Sequence, residues 1–282
     1  MISVVIPTYN EEKAIGQTIK DIKKALTKHK YEIIAVDDGS KDKTGKILDK
    51  CKGINVLHNP YNMGYSNSIK KGMKASKGDY IFIIDADGTY PINDMPKLIQ
   101  HTKKYDMVVG ARTKKSAKIP FLRKPAKKIL NVLANFMSGH KIPDLNSGMR
   151  VFKKDVSMEF FHLYPDRFSF TTTITLAFLT SGYSVKYVPI SYYKRAGKST
   201  VNPIKDFVGF INLIIRIVTY FNPFKIFFSI SLLFFVIASF VFLYSYFIAR
   251  RIADISIIVL LVSSVQIFLF GLIADLIVKS RK

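Results

Sequence analysis

Three short apolar runs, each closed by polar or acidic residues, restrict this chain more than any other feature. Ile2–Pro7, Tyr31–Val36 and Tyr80–Ile84 are of strand length and end on Thr8-Tyr9-Asn10-Glu11, Asp37-Asp38-Gly39-Ser40 and Asp85-Ala86-Asp87. Between the first two, Ile15, Ile19, Ile22 and Leu26 recur at helical spacing. A lysine-rich helix from Lys43, a third strand at Ile54–His58, a helix from Asn62 to Ala75, a helix over Asp94–Thr102 and a fifth strand at Met107–Ala111 continue the alternation. Strands alternating with helices predict an α/β fold built on a mostly parallel, doubly wound sheet. In such a sheet the carboxyl ends of the strands share one edge, where ligands bind. Acids scattered at random would not fall repeatedly just after apolar runs, so this edge is the expected site.

Asp85 and Asp87 carry the sharpest chemistry. Residues i and i+2 of a strand point the same way, so both carboxylates leave one face at its end. Paired hard oxygens suit Mg²⁺ or Mn²⁺ carried on the phosphates of a nucleotide. Taken alone, Asp-x-Asp is more often a strand end and a polar turn. No Gly-x-Gly-x-x-Gly occurs, and no Gly-Lys-Ser/Thr is preceded by a glycine at the Walker spacing. Rossmann dehydrogenases and P-loop enzymes are therefore set aside.

Charge and apolarity are unevenly placed. Eight of the 43 Lys/Arg and three of the 20 Asp/Glu lie from Val201 onward, leaving 35 against 17 in the first 200 residues. A surface this basic points to nucleic acid, anionic lipid or a phosphorylated substrate. Arg112 to Lys128 holds eight basic residues and no acid. Without interleaved aromatics or a recognition motif, nucleic acid is the weaker partner, and none is expected. Phe224–Ile248 and Ile255–Val278 are each long and apolar enough to span a bilayer. Val201–Phe221 mixes Lys205, Asp206 and Arg216 with Phe and Ile and reads as an interfacial amphipathic segment. The first residues run straight into Ile2–Pro7, too short for a signal-peptide core, and Cys51 is alone, so a cytosolic catalytic domain without disulfides is expected.

In order and spacing, Val5-Ile6-Pro7-Thr8-Tyr9-Asn10-Glu11, Val36–Thr44, Asn62-Met63-Gly64, Lys77-Gly78-Asp79 and Asp85-Ala86-Asp87 resemble family-2 glycosyltransferases of the GT-A fold. Asp144–Arg150 and Arg195–Ser199 are similar to the polyprenyl-phosphate branch, which includes dolichyl-phosphate mannose synthases and undecaprenyl-phosphate sugar transferases. The resemblance covers nearly the whole soluble part and implies a GT-A catalytic domain over residues 1–200, to which the apolar pattern adds a juxtamembrane segment over 201–222 and a two-helix membrane hairpin over 223–282. It implies that Pro7, Tyr9, Glu11, Asp38 and Asp37 hold the nucleotide base and ribose. It places Asp85, Ala86 and Asp87 at the nucleotide sugar, with Asp85 and Asp87 on the metal. It also implies a later loop, with Arg195, Lys198 and Ser199, that covers the diphosphate. Many relatives carry Gln or Asn two residues after the second aspartate; this chain has Thr89, a poorer ligand.

On the acceptor side, Arg112 and Arg123 resemble phosphate-binding arginines, whose guanidinium forks match phosphate oxygens, and Ser147 and Arg150 are expected with them. Asp144 is the candidate orienting group or base, and Asp87, Asp144 and Arg112 are the expected catalytic set. A polyprenyl phosphate is already anionic at neutral pH and needs positioning more than deprotonation. Thr171-Thr172-Thr173 stands where many glycosyltransferases place an acceptor-side acid, which favours a phosphate over a hydroxyl acceptor. With no Trp, the Gln-x-x-Arg-Trp motif of processive synthases is absent. The expected reaction is inverting transfer of one sugar from a nucleoside-diphosphate sugar to a polyprenyl phosphate at the cytosolic membrane face. Transfer to another membrane-lipid hydroxyl, or nucleotide sensing without catalysis, are the alternatives. The resemblance allows a homo-oligomer, and no sequence feature counts subunits.

Overall fold

In β1 (Ile2–Thr8) all seven residues are buried, as a strand covered on both faces requires. It lies between β2 (Tyr31–Asp37) and β4 (Tyr80–Ile83), parallel to both, and β2 carries β3 (Asn55–His58) on its far side. The chain therefore moves outward from β1 to β3 and then crosses back to the other side of β1. That reversal opens a crevice at the carboxyl ends of β1 and β4. The computed structural model describes residues 1–113, 124–166, 169–193, 215, 219–249 and 254–280. They belong to two units, Met1–Phe210 and Ile211–Lys282.

Among the described residues the sheet has seven strands, in the order β3-β2-β1-β4-β6-β5-β7. β5 (Met107–Ala111) and β7 (Val185–Pro189) pair in parallel, whereas β6 (Arg150–Lys153) runs antiparallel between β4 and β5. The mostly parallel sheet is as the alternating pattern predicts, and β6 is the exception. Its register sets Arg150 opposite both Ile83 and Val109. The start of β6, not its end, therefore meets the edge where the parallel strands finish.

The helices follow the apolar spacing. Ile15, Ile19 and Ile22 of α1 (Ile15–Ala25), with Leu26 just beyond it, are buried against the sheet. α2 (Thr44–Asp49) and α3 (Tyr65–Ala75) complete the first half. The helix expected over Asp94–Thr102 is shorter: a 3₁₀ turn at Ile92–Asp94 leads into α4 (Met95–Ile99), with Pro96 in its first turn. α5 (Lys124–Ser138), α6 (Lys154–Glu159) and α7 (Phe170–Thr180) follow. α7 is buried from Phe170 to Leu179, apolar all round as a central helix must be.

The second unit is a helical pair. α8 (Pro223–Tyr244) starts at Asn222, whose side chain accepts from the Lys225 N–H, and runs on through a π turn at Ser245–Ala249. α9 is Asp254–Ser280. The two apolar stretches, Pro223–Ile248 and Ile255–Ser280, are 26 residues each and long enough to cross a membrane. Ser231 and Ser264, both buried, donate to each other's carbonyl at 2.8 and 2.9 Å.

At the β3 edge, His58 bridges Asp37 (3.1 Å) and Asp49 (3.0 Å). Burial opposes protonation of this ring, but the two carboxylates outweigh it and raise its pKa. The stabilisation is complete below the ordinary histidine value of about 6.5 and is lost as pH rises through the raised value. The side chain is 44% exposed, so the effect is small and weakened by salt. The unfolding free-energy gap between wild type and His58→Gln should shrink on going from about pH 6 to about pH 8.5. A gap constant across that range, in denaturant titrations, would contradict this.

Candidate active site

The carboxyl edge begins with two strand ends laced together. Asn10, at φ 55°, donates from its N–H to Ser40 Oγ (3.0 Å) and accepts from the Lys41 N–H (2.8 Å). Glu11 N–H donates to Thr44 Oγ1 (2.8 Å), and Glu12 accepts from the Lys43 N–H (3.0 Å). Asp42 closes the lacing; burial pushes its carboxyl up, but hydrogen bonds from Thr44 and Glu12 outweigh it and lower its pKa. Pro7 is buried in β1, and Tyr9 and Glu11 stand half-buried on this lip.

Asp37 and Asp38 are buried and turned toward the chain's own donors. Asp37 Oδ1 accepts from the Ser40 N–H at 3.0 Å. Asp38 Oδ1 accepts from Asn59 Nδ2 (2.7 Å) and the Met63 N–H (2.9 Å), and Oδ2 from the Gly64 N–H (2.8 Å). Asp38 thus ties the β2 end to the segment that opens α3, while Asp37 holds Ser40 and His58. Gly39, at φ +69°, makes that approach workable, since a Cβ there would stand 2.6 Å from the Tyr61 carbonyl carbon.

At the end of β4, Asp85 Oδ1 accepts from the Tyr65 phenol at 2.7 Å. Burial first, and then the Asp85 charge, pushes the Tyr65 pKa well above that of an ordinary tyrosine, so the phenol remains a donor. Gly148 backs the same carboxylate: a Cβ there would lie 2.7 Å from Asp85 Cγ. Ala86 is buried between the two aspartates, and Asp87 Oδ1 accepts from Thr89 Oγ1 at 2.6 Å. Among the described residues no cluster of three or more His, Cys, Asp or Glu forms a metal cage. A pair of carboxylates is nevertheless a donor set that Mg²⁺ or Mn²⁺ accepts when substrate phosphates and water complete the shell.

Arg112, just past β5, meets Asp144, just before β6. Its Nε and Nη2 donate to Asp144 Oδ2 (2.7 Å) and Oδ1 (2.8 Å), and its backbone N–H also donates to Oδ2 (3.0 Å). Burial disfavours the guanidinium charge, but hydrogen bonding to Asp144 outweighs it and raises the pKa, so the cation persists. Both Asp144 oxygens face Arg112, so the carboxylate fixes the direction of that guanidinium. Arg112 also stacks on Tyr192 (5.1 Å to the ring centroid), and Tyr192 meets Tyr90 edge to face at 5.2 Å. The Gly148 N–H donates to the Tyr90 hydroxyl at 2.7 Å. A continuous series thus joins Arg112 to Asp85 through Tyr192, Tyr90 and Gly148.

Two expected phosphate contacts are corrected. Arg150 is fully buried, with Nε to the Ser147 carbonyl (3.0 Å) and Nη1 to the Thr171 carbonyl and Thr175 Oγ1 (2.9 Å each). Ser147 is fully buried and donates to the Gly110 carbonyl at 2.6 Å. Both side chains are turned inward onto protein acceptors. Thr172 Oγ1 donates to Asn146 at 2.7 Å, so the threonine row supports the Asp144–Ser147 turn from behind. Arg123, Arg195, Lys198 and Ser199 lie outside the described residues. Tyr65, Tyr90 and Tyr192 were not anticipated, because a lone tyrosine among polar and turn residues carries no signal of its own, and Thr89 was weighed only as a poor metal ligand.

Residues 3–161 match the profile of glycosyl transferase family 2, and residues 222–279 match that of the GtrB C-terminal hairpin. The chain belongs to glycosyl transferase family 2. A dolichyl-phosphate hexose transferase of Haloferax volcanii is 29% identical over 72% of this glycosyltransferase and 87% of its own length. A dolichol-phosphate mannosyltransferase of Pyrococcus furiosus is 35% identical over 44% of this chain and 37% of that protein. Among solved structures, glucosyl-3-phosphoglycerate synthase of Mycobacterium tuberculosis, in complex with Mn²⁺, UDP and glucosyl-3-phosphoglycerate, superposes with a TM-score of 0.59 at 18% identity, covering 77% of this chain and 78% of that one. That likeness establishes the GT-A-like fold. Named relatives of this glycosyltransferase include polyprenyl-phosphate sugar transferases, and its second unit is of the GtrB hairpin type.

Replacing Arg150 by Leu removes both side-chain donors of the buried Ser147 carbonyl and one of those on the Thr171 carbonyl, which keeps Thr175 Oγ1. The variant should lose about 3 kcal/mol of stability, a fall in Tm of roughly 6–12 °C. Thermal unfolding of the full chain checks this, and an unchanged Tm would return Arg150 to the list of ligand-contacting residues.

Proposed function

We propose that this glycosyltransferase transfers one sugar, with inversion, from a nucleoside-diphosphate sugar to a polyprenyl phosphate at the cytosolic face of a membrane. The observation that carries it is the placing of the Asp85/Asp87 pair and the Arg112 cation on one sheet edge. Their strands, β4 and β5, are separated only by β6. Two strand spacings are about 10 Å, the scale of a diphosphate and an acceptor phosphate facing each other across a sugar. Asp85 and Asp87 would hold Mg²⁺ or Mn²⁺, which when bound offsets the charge building on the departing diphosphate.

The chain's own part in the reaction is binding and orientation. The lip of Pro7, Tyr9, Glu11, Asp37 and Asp38 takes the nucleoside. Arg112, fixed by Asp144 and Tyr192, holds the acceptor phosphate, together with Arg123. One phosphate oxygen forms the bond to the anomeric carbon as the bond to the nucleoside diphosphate breaks, and the electron pair leaves with the diphosphate. The nucleophile is already ionised, so no side chain need take a proton. Arg195, Lys198 and Ser199 fall a few residues beyond Tyr192 and would close over the diphosphate. The Arg112 charge, held by Asp144, acts on the transition state with little reorganisation.

A lipid acceptor also suits α5. Leu130, Ala134 and Met137 turn inward, while Lys128, Ile129 and Val132 are exposed, the last two at 55% and 60%. An outward apolar stripe following eight basic residues matches the interface of an anionic leaflet. The two apolar helices of the second unit and their hairpin-type match support a multi-pass membrane anchor.

A panel of labelled nucleotide sugars, offered with a short polyprenyl phosphate and Mn²⁺, tests the reaction. Transfer should require the phosphate, and Asp87→Ala should lower the rate by two or more orders of magnitude, about 3 kcal/mol or more. Preference for diacylglycerol would overturn the acceptor assignment, and no turnover with any donor would favour a nucleotide sensor. For the membrane face, a spin label on Val132→Cys, in a Cys51→Ser background in anionic nanodiscs, should be relaxed by oxygen more than by a water-soluble nickel chelate. The reverse order would place α5 in solvent.

A further inference from the structure

The two carboxylates at the end of β4 are not left to find their own orientation. Thr89 is fully buried, and it donates to a single oxygen of Asp87, Oδ1, through both its hydroxyl (2.6 Å) and its backbone N–H (3.1 Å). Two donors fill the two lone pairs of that oxygen. Asp85 Oδ1 accepts from the Tyr65 phenol, which comes from the first turn of α3, 20 residues earlier. Gly148 closes the space behind Asp85. One hydroxyl per carboxylate, each from a separate element, sets the direction in which the pair is presented.

Thr89 also occupies the position where the family resemblance leads one to expect a further ligand. Its hydroxyl is instead directed at Asp87, and the residue is buried, with its carbonyl accepting from the Tyr193 N–H at 2.9 Å. A cation held by Asp87 therefore takes at most one oxygen from it. The protein's share of the coordination shell is then small, and the phosphates of a bound nucleotide must supply much of the rest.

We propose that Thr89 and Tyr65 are positioning residues: they fix Asp87 and Asp85 so that the pair receives a divalent cation together with a nucleoside diphosphate, and Thr89 acts through Asp87 and not as a ligand. This rests on the metal-binding role given to the pair above. Partners that orient metal ligands in this way change affinity 10- to 100-fold when removed.

The test is Mn²⁺ uptake by the full chain, followed by electron paramagnetic resonance without nucleotide and with UDP or GDP. Wild type should take up Mn²⁺ much more tightly with a nucleotide than without. Thr89→Val should weaken nucleotide-dependent uptake about tenfold, Thr89→Ser should restore it, and Tyr65→Phe should weaken it with little change in Tm. Equal uptake by wild type, Thr89→Val and Tyr65→Phe would overturn the proposal while leaving the metal-binding role of the aspartates intact. So would a Thr89→Ser variant as weak as Thr89→Val, since the methyl and not the hydroxyl would then matter. Failure of the wild type to take up Mn²⁺ with either nucleotide would overturn both readings. If Thr89→Val does not fold, Tyr65→Phe decides alone.

Discussion

Gly148 comes so close to the Asp85 carboxylate that no side chain fits between them, and the rest of the edge depends on that contact. It exists because β6 is reversed. A parallel strand in that place would bring its carboxyl end to the edge and send the preceding segment to the far side. Running antiparallel, β6 delivers the Asp144–Met149 turn to the ends of β4 and β5 instead. The turn is then held from within: Arg150 gathers carbonyls from Ser147 and Thr171, and Ser147 reaches the Gly110 carbonyl. A buried guanidinium is costly unless its donors are met, and here backbone carbonyls meet them. Its burial lowers its own pKa, and it fixes the loop by geometry, with no salt-bridged carboxylate among the described residues.

The second arginine of this region behaves differently. Arg112 keeps a bidentate carboxylate partner and one ring face against Tyr192. Pairing an ion in a half-buried place gains Coulomb energy at the expense of hydration, and the net contribution to stability is commonly small. What the pair does secure is direction. A guanidinium held at two nitrogens and stacked on a ring has little freedom, so it can meet a phosphate without first being ordered. The same contacts turn both Asp144 oxygens toward Arg112. An acceptor that arrives as an anion asks no carboxylate to take its proton.

Much of this was legible because it follows from strand periodicity and chemical type. Five strands and the parallel sheet come directly from apolar runs and their acidic ends. β6 was not seen: it has four residues, begins and ends on Arg150 and Lys153, and offers no apolar run to detect. β7, Val185–Pro189, is half-exposed and interrupted by Lys186 and Tyr187 for the same reason. At the site, the acids announce themselves by position, but their supports do not. Tyr65 is an ordinary first-turn residue of a helix, and Tyr90 an ordinary core aromatic, until the fold brings each within hydrogen-bonding reach of its partner. Arg150 misleads in the opposite way. An arginine in a motif next to a site reads as a ligand contact, and only burial shows that it faces inward.

The apolar helices raise the same question of direction in a simpler setting. Hydropathy reads their length, but an all-apolar helix has no periodic stripe from which to infer which side faces its partner. Small residues carry that information. Ser231, Ala238 and Ser264 are buried in the seam, and Gly271 makes room for Phe227, where a Cβ would stand 2.7 Å from the ring-bearing carbon. Backbones can approach closely only along such a line. The two serines then add register, because each hydroxyl bonds the other helix's carbonyl. Sliding one helix by a turn would lose both bonds across the seam and leave each hydroxyl to its own helix, as Ser229 and Ser239 are. Two otherwise ordinary serines, bonded across the seam, thereby favour one register for the hairpin.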